Sequence, residues 1–413
     1  MHSFEATLTS VAEAVAGVDD SFTFHVLQNI VRSVVPPLMH FVAAQSEASA
    51  GRGQRSAARL SGAETTSEAS LLMAFGRALC APPPSRRLTL LNTLVSTAAR
   101  HRGAGERAGA SHRAETGPSL ATVLAMLLLQ AGGADAAAEQ REGEGAAMAH
   151  ALMRKFSVGQ QIGALAVLVM VSDQIFNHLA AMDAGSEGDA EGAGVGGGGG
   201  AMLIEADARN DAQSGDEAEG GDGDDEEGED EDDPLFVLAS QIVKTISDGP
   251  LGNSGTAVVG TWATSLLSFA LEHLRSPAFL AQAGSKLAHG SGSAARAAAR
   301  SAASSRGRKQ RESQDRLQAQ LLLLAEKALL LLFESADATA MDLAGNAVTA
   351  ASAVQSTVTA SCEHLLEALQ ELLTVPGFLA VVSKLWSVDD QRTRKHALQM
   401  FITKVHDSAA TMS

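Results

Sequence analysis

Apolar side chains in this chain return every three or four residues, in segments of about 10–25 residues set apart by polar or small-residue stretches. That spacing lines one face of an α-helix and leaves no room for the alternation a half-buried strand needs. Residues 21–44 show it at Leu27, Ile30, Val31, Val34, Leu38, Phe41 and Val42, with Pro36-Pro37 expected to kink or split the helix. Residues 45–67 read as a loop. A helix over 68–80 should stop at Ala81-Pro82-Pro83-Pro84, after which Ser85 is placed to cap a helix carrying Leu88, Leu91, Leu94 and Val95. Residues 101–117 and 132–145 read as further loops. The stretch 119–130 is apolar nearly all round and should lie buried between neighbours. Composition agrees with a helical fold. The chain has no tyrosine and 4% aromatic residues, and much of its 45% hydrophobic share is alanine, a strong helix former.

Two inserts interrupt the pattern. Residues 183–233 hold 20 acidic side chains against one basic, Arg209, and end in GDGDDEEGEDEDD. Self-repulsion and the lack of apolar area predict disorder there. The rest of the chain has 28 acids and 30 bases, so the net charge of −17 belongs to this one segment. A second insert, 288–312, is rich in Ser, Ala and Arg, with Arg296, Arg300, Arg306, Arg308, Lys309 and Arg311. The expected organisation is helical repeats over 21–182, 234–287 and 313–407, separated by these inserts.

The clearest repeat is the last helical pair, 375–405. Pro376 and Phe378 open its first helix and Leu385 closes it; Asp389-Asp390 cap the second, which carries Arg394, Ala397, Leu398, Phe401 and Ile402. A Pro-x-Phe start, an Asp turn, and Arg then Ala-Leu on the second helix form the HEAT-repeat pattern. The expected fold is therefore all-α: a HEAT-like α-solenoid of stacked antiparallel helix pairs with long disordered inserts. On this pattern Leu398 and Phe401 should be core.

Catalytic signatures are absent. Gly192, Gly194 and Gly197 match G-x-G-x-x-G but lack the strand and helix that motif requires. There is no phosphate loop, zinc-binding H-E-x-x-H, nucleophile elbow or C-x-x-C. His364 and His396 read as surface or groove residues. Cys80 and Cys362, the only cysteines, read as small buried hydrophobes. The expectation is a non-enzyme without cofactor, metal or small-molecule substrate. The N-terminal stretch carries Glu5 and Glu13 and no basic residue, unlike a signal or transit peptide. The apolar runs 162–171 and 321–333 read as too short, or too interrupted by Glu326 and Lys327, to span a bilayer. An intracellular chain with no membrane partner is expected.

Several pieces, in order, resemble HEAT repeat-containing protein 1, the family also called U-three small nucleolar RNA-associated protein ten. They are LLMAFGRALCAPPPSRRLTLLNTLVSTA with SLATVLAMLLLQ, then MRKFSVGQQIGALAVL, then HLLEALQELLTVPGFLAVVSKLWSVDDQRTRKHALQMF. The family features fall on Phe75, Ala78-Leu79, Pro84, Arg86-Arg87-Leu88 and Leu94-Val95. The family's proteins are several times longer, so the resemblance implies an internal or truncated portion. It implies a nucleolar scaffold of the small-subunit processome, supporting processing to 18S rRNA, ribosome biogenesis and rDNA transcription. Its partners would be other processome proteins, the U-three ribonucleoprotein and pre-rRNA. Candidate RNA or partner contacts are Arg86, Arg87, Arg306, Arg308, Lys309, Arg311, Arg394 and Lys395. The alternative is a general HEAT-repeat adaptor, such as a transport receptor or regulatory scaffold.

Overall fold

The computed structural model describes residues 10, 21–50, 67–105, 116–129, 136–186, 234–247, 256–287, 305–342, 350–387 and 391–412. Helix accounts for nearly all of them, and no strand occurs among them. The thirteen helices are α1 (Ser21–Ala50), α2 (Glu68–Ala78), α3 (Pro84–Gly105), α4 (Thr116–Leu129), α5 (Ala136–Met153), α6 (Val158–Ser186) and α7 (Pro234–Ser247). After these come α8 (Thr256–Arg275), α9 (Pro277–Leu287), α10 (Ser305–Asp342), α11 (Ala350–Gln370), α12 (Val375–Ser387) and α13 (Gln391–Met412).

Local signals explain where helices begin. Ser67 sits in extended backbone and its hydroxyl accepts from the Ser70 amide, satisfying one of the orphan N–H groups of α2. Gln160 reaches back to accept from the Ser157 amide and hydroxyl at the start of α6, the returning half of a capping box. Pro277 opens α9 one residue after Ser276, whose hydroxyl accepts from the Phe279 amide.

The packing is built around α4 and α6. In α4 every residue but Pro118 is buried, because α2, α3, α5 and α6 all press on it. In α6 the residues from Ala164 to Ser172 are buried without exception. This helix touches α4, α7, α8, α10 and α11. The 22 residues Val158–Leu179 are long and apolar enough to cross a membrane by length and composition, a longer stretch than the run 162–171 suggested. Most of that surface is covered by neighbouring helices. Buried hydroxyls inside these helices bond one turn back: Thr122 donates to Pro118 O at 3.0 Å and Ser172 to Leu168 O at 3.0 Å.

One hydrophobic cluster runs from Leu27 on α1 to Met400 on α13. The two sides of the acidic segment belong to the same core. The Ser70 hydroxyl on α2 meets that of Thr245 on α7 at 2.8 Å, and α7 also packs on α6. The acidic residues 187–233 themselves lie outside the described residues, as do residues 51–66 of the expected loop 45–67, whose first residues are helix, and the insert portion 288–304.

Glycines allow the closest approaches. A Cβ on Gly145 of α5 would fall 2.6 Å from Leu127 O, a backbone atom of α4. On Gly143, two residues earlier and on the other side of the helix, it would meet nothing within 4 Å. Gly143→Ala is therefore expected to stabilise by about 0.5–1 kcal/mol through helix propensity, whereas Gly145→Ala should destabilise by about 1–3 kcal/mol. Opposite shifts in the thermal midpoint would establish the α4–α5 approach. A gain from both would refute it.

Several sequence expectations need correcting. The two prolines do not split α1, which runs through Pro36 and Pro37 and on to Ala50, held by the buried row Val31, Val35, Met39 and Val42. Helix α3 begins at Pro84 rather than after a Ser85 cap, since proline needs no amide partner at the first helical position. The expected loop 101–117 is shortened by helix on both sides, since α3 continues to Gly105 and α4 begins at Thr116, and most of the expected loop 132–145 is helix, since α5 begins at Ala136. Helix α6 runs to Ser186, into the acidic segment, and residues 305–312 of the basic insert form the first turns of α10. Leu398, Phe401 and Ile402 are exposed; the buried positions of α13 among the described residues are Thr393, His396, Ala397 and Met400. The reason is that α13 packs mainly on α12 and α11, so one narrow face of an amphipathic helix is covered.

Candidate functional site

A half-open groove of about 460 Å³ lies where α8, α9, α11 and α13 converge. Its floor is the last two turns of α11 and the residue beyond, with Glu367, Ala368, Gln370 and Glu371. Leu274 and Arg275 at the end of α8, with Leu280 of α9, make one wall. His396, Gln399, Met400 and Thr403 make the other, four residues on one face of α13.

Its chemistry is polar and balanced. Arg275 Nη2 lies 3.9 Å from Glu367 Oε2, and His364 Nδ1 lies 3.1 Å from the same oxygen. Lys404 donates to Gln370 O at 2.6 Å, with its ammonium 5.8 Å above the Phe378 ring. The Gln370 side-chain carbonyl is buried with no hydrogen-bond partner. The lining offers amide and carboxylate groups suited to a polypeptide backbone and its side chains. No group of three metal-binding side chains occurs among the described residues.

Two further polar clusters sit at helix seams, the first largely buried and the second with Asn177 and Glu334 exposed. In the first, His273 on α8 contacts Gln161 Oε1 at 2.9 Å and His150 Nδ1 at 3.4 Å, between Phe269 and Phe279. Gln161 in turn donates to Phe156 O at 2.7 Å, joining α6 to the α5–α6 turn. Burial, with His150 and Arg154 nearby, lowers the His273 pKa to about 4, so the ring is neutral near pH 7. In the second, Asp173 of α6 faces Glu334 of α10, and Asn177 donates to Glu334 Oε2 at 2.9 Å. Burial, a hydrogen bond to Glu334 and its charge raise the Asp173 pKa to about 8, opposed by Lys327. Two carboxyl groups at one seam hold a proton between them. Both clusters join packed helices.

The basic residues singled out from the sequence do not converge. Arg86 lies 5.6 Å above the Phe24 ring of α1, and Arg87 donates to Pro82 O, which fixes both near the start of α3. Helix α3 packs with α1, α2, α4 and α5, whereas α10 packs with α6, α11 and α12. Arg311 is exposed on the first turns of α10, and Arg394 and Lys395 are exposed on α13. Arg306, Arg308 and Lys309 fall on those same turns of α10, with side chains outside the described set. The groove residues Arg275, Glu367 and Glu371 went unnoticed in the sequence. The i, i+3, i+4, i+7 spacing of the α13 wall was legible, but which face it turned to the groove was not.

Both cysteine thiols are held in the protonated form. Burial pushes the Cys80 thiol up to about 11, partly offset by Arg87, and Cys362 is driven upwards by burial with Asp173 and Glu363 near. Cys80 is only half-buried, not fully covered as its type suggested.

Comparison of the chain with protein-family models, curated proteins and solved structures found no match.

Proposed function

We propose that this chain is a non-enzymatic HEAT-like α-solenoid that serves as a nucleolar scaffold of the small-subunit processome, holding pre-rRNA and the U-three ribonucleoprotein through its surface. The observation that carries the solenoid reading is the order of helix contacts. Helices α3, α4, α6, α10 and α12 each touch the next, forming one row. Facing them, α1 packs on α3, α2 on α4, α7 and α8 on α6, α11 on α10, and α13 on α12. Along this second row α1 meets α2, α2 meets α7, α8 meets α11 and α11 meets α13, while α7 and α8 are linked through α6. Two facing rows in chain order are what stacked helix pairs produce, because no single pair can bury its apolar faces alone. The helices α5 and α9 stand outside the rows and close their ends onto α3, α4 and α8.

The ribosomal role is supported by the ordered motif resemblance, by bases spread over separate helices rather than gathered in one pocket, and by a groove lined for polypeptide contact. A scaffold works through breadth of surface, and dispersed phosphate contacts suit it. The test is to tag the chain in its own cells, image it, and sequence the RNA cross-linked to it. Nucleolar signal with pre-rRNA and U-three RNA enriched is the expected result. A diffuse signal with no such RNA, and RNase-insensitive recovery of transport factors, would replace this reading with the adaptor one.

A further inference from the structure

Eleven large apolar side chains are conspicuously exposed among the described residues, and seven of them lie on α12 and α13. On α13 they are Leu398, Phe401, Ile402 and Val405, the i, i+3, i+4, i+7 spacing of a single stripe. On α12 they are Val375, Leu379 and Trp386, again at helical spacing. These seven are 40–64% exposed, while the opposite sides of both helices, with Phe378, Leu385, Ala397 and Met400, are buried. Neighbouring apolar stripes on two packed helices leave a shallow valley that takes the side chains of a third helix.

The charge around the valley selects what fits it. Between Gln391 and His406, α13 carries Arg392, Arg394, Lys395 and Lys404 and no acid. The first helix, α12, has Lys384 and no acid, and that lysine is engaged by Glu326 of α10 at 2.6 Å. A second copy of the chain would bring the same bases against these, with no carboxylate on either α13 stripe to answer them. Nucleic acid is favoured where bases interleave with aromatic rings, and five of the seven apolar residues here are aliphatic. We propose that the outer face of α12 and α13 docks an amphipathic helix of a partner protein, its apolar stripe against Leu398, Phe401, Ile402 and Trp386 and its flanks acidic, facing Lys395. This inference rests on exposure and charge and stands apart from the nucleolar reading.

The test uses the full chain and two labelled synthetic helices sharing one leucine stripe, one flanked by glutamates and the other by lysines, with binding followed by fluorescence anisotropy. The acidic helix should bind and the basic one should bind at least about tenfold more weakly. Ile402→Glu should weaken the acidic helix by about tenfold or more while leaving the thermal midpoint unchanged, since that side chain stands in solvent. Lys395→Glu should narrow the preference between the two helices. The proposal is overturned if neither helix binds, or if both bind alike. It is equally overturned if the Ile402→Glu change instead abolishes binding of an oligouridine strand or of phosphatidylserine vesicles, or turns a sedimenting dimer into a monomer.

Discussion

Leu165→Ala should lower stability by about 2–5 kcal/mol, while Leu398→Ala should cost less than about 1 kcal/mol. Both residues sit in helices with strong apolar periodicity, so their sequence neighbourhoods do not separate them. Leu165 lies on α6 with no exposed surface, in a run whose every position is covered by α4, α7, α8, α10 or α11. Truncation there leaves a cavity that five surrounding helices can close only in part. Leu398 is nearly half in water on the outer face of α13. Removing it forfeits little burial and opens no hole. Urea unfolding midpoints of the two variants measure the contrast directly. Equal losses would mean that α13 has a neighbour on its outer side, and a negligible loss at Leu165 would mean that α6 is not central.

Asp173→Asn should flatten the pH dependence of stability. The folded chain raises this carboxyl from an ordinary value of 3.8 to about 8, through burial first and Glu334 second. The native state therefore binds a proton more tightly than the unfolded chain across that window. Stability supplied by the protonated form is fully present below about pH 4 and is lost as pH rises towards about 8, by an amount on the order of a few kcal/mol. Asparagine keeps the shape and a neutral polar end, and it cannot ionise. The variant should match the parent at pH 3.5 and exceed its thermal midpoint by a margin that grows up to pH 8.5. A constant difference between the two across that range would show that Asp173 does not hold its proton in the folded chain. His273 acts in the opposite sense: its lowered pKa makes the fold lose stability as pH falls from about 6.5 to about 4.

Much of the fold was legible because helix formation is governed by neighbours three and four residues away. The limits of α9, Pro277–Leu287, and the start of α7 at Pro234 follow directly from proline placement and apolar spacing. The all-round burial of α4 follows from a sequence with no polar face. Ends were harder. Low-complexity stretches of alanine, serine and arginine carry enough helix propensity to extend α3, α5 and α10 beyond their packed portions, with no apolar mark in the sequence. The groove was less legible still. Arg275, Glu367 and His396 are far apart in the chain, and nothing local distinguishes them from solvated residues.

Local chemistry alone thus determined that this chain is helical, where most helices begin, and that its acidity is confined to one segment. Partner choice came from packing. Whether an amphipathic stripe becomes core, as on α6, or remains in water, as on α13, depends on how many other helices reach it. That is a matter of long-range geometry, because hydrophobic burial is non-directional and rewards any apolar surface that happens to meet another.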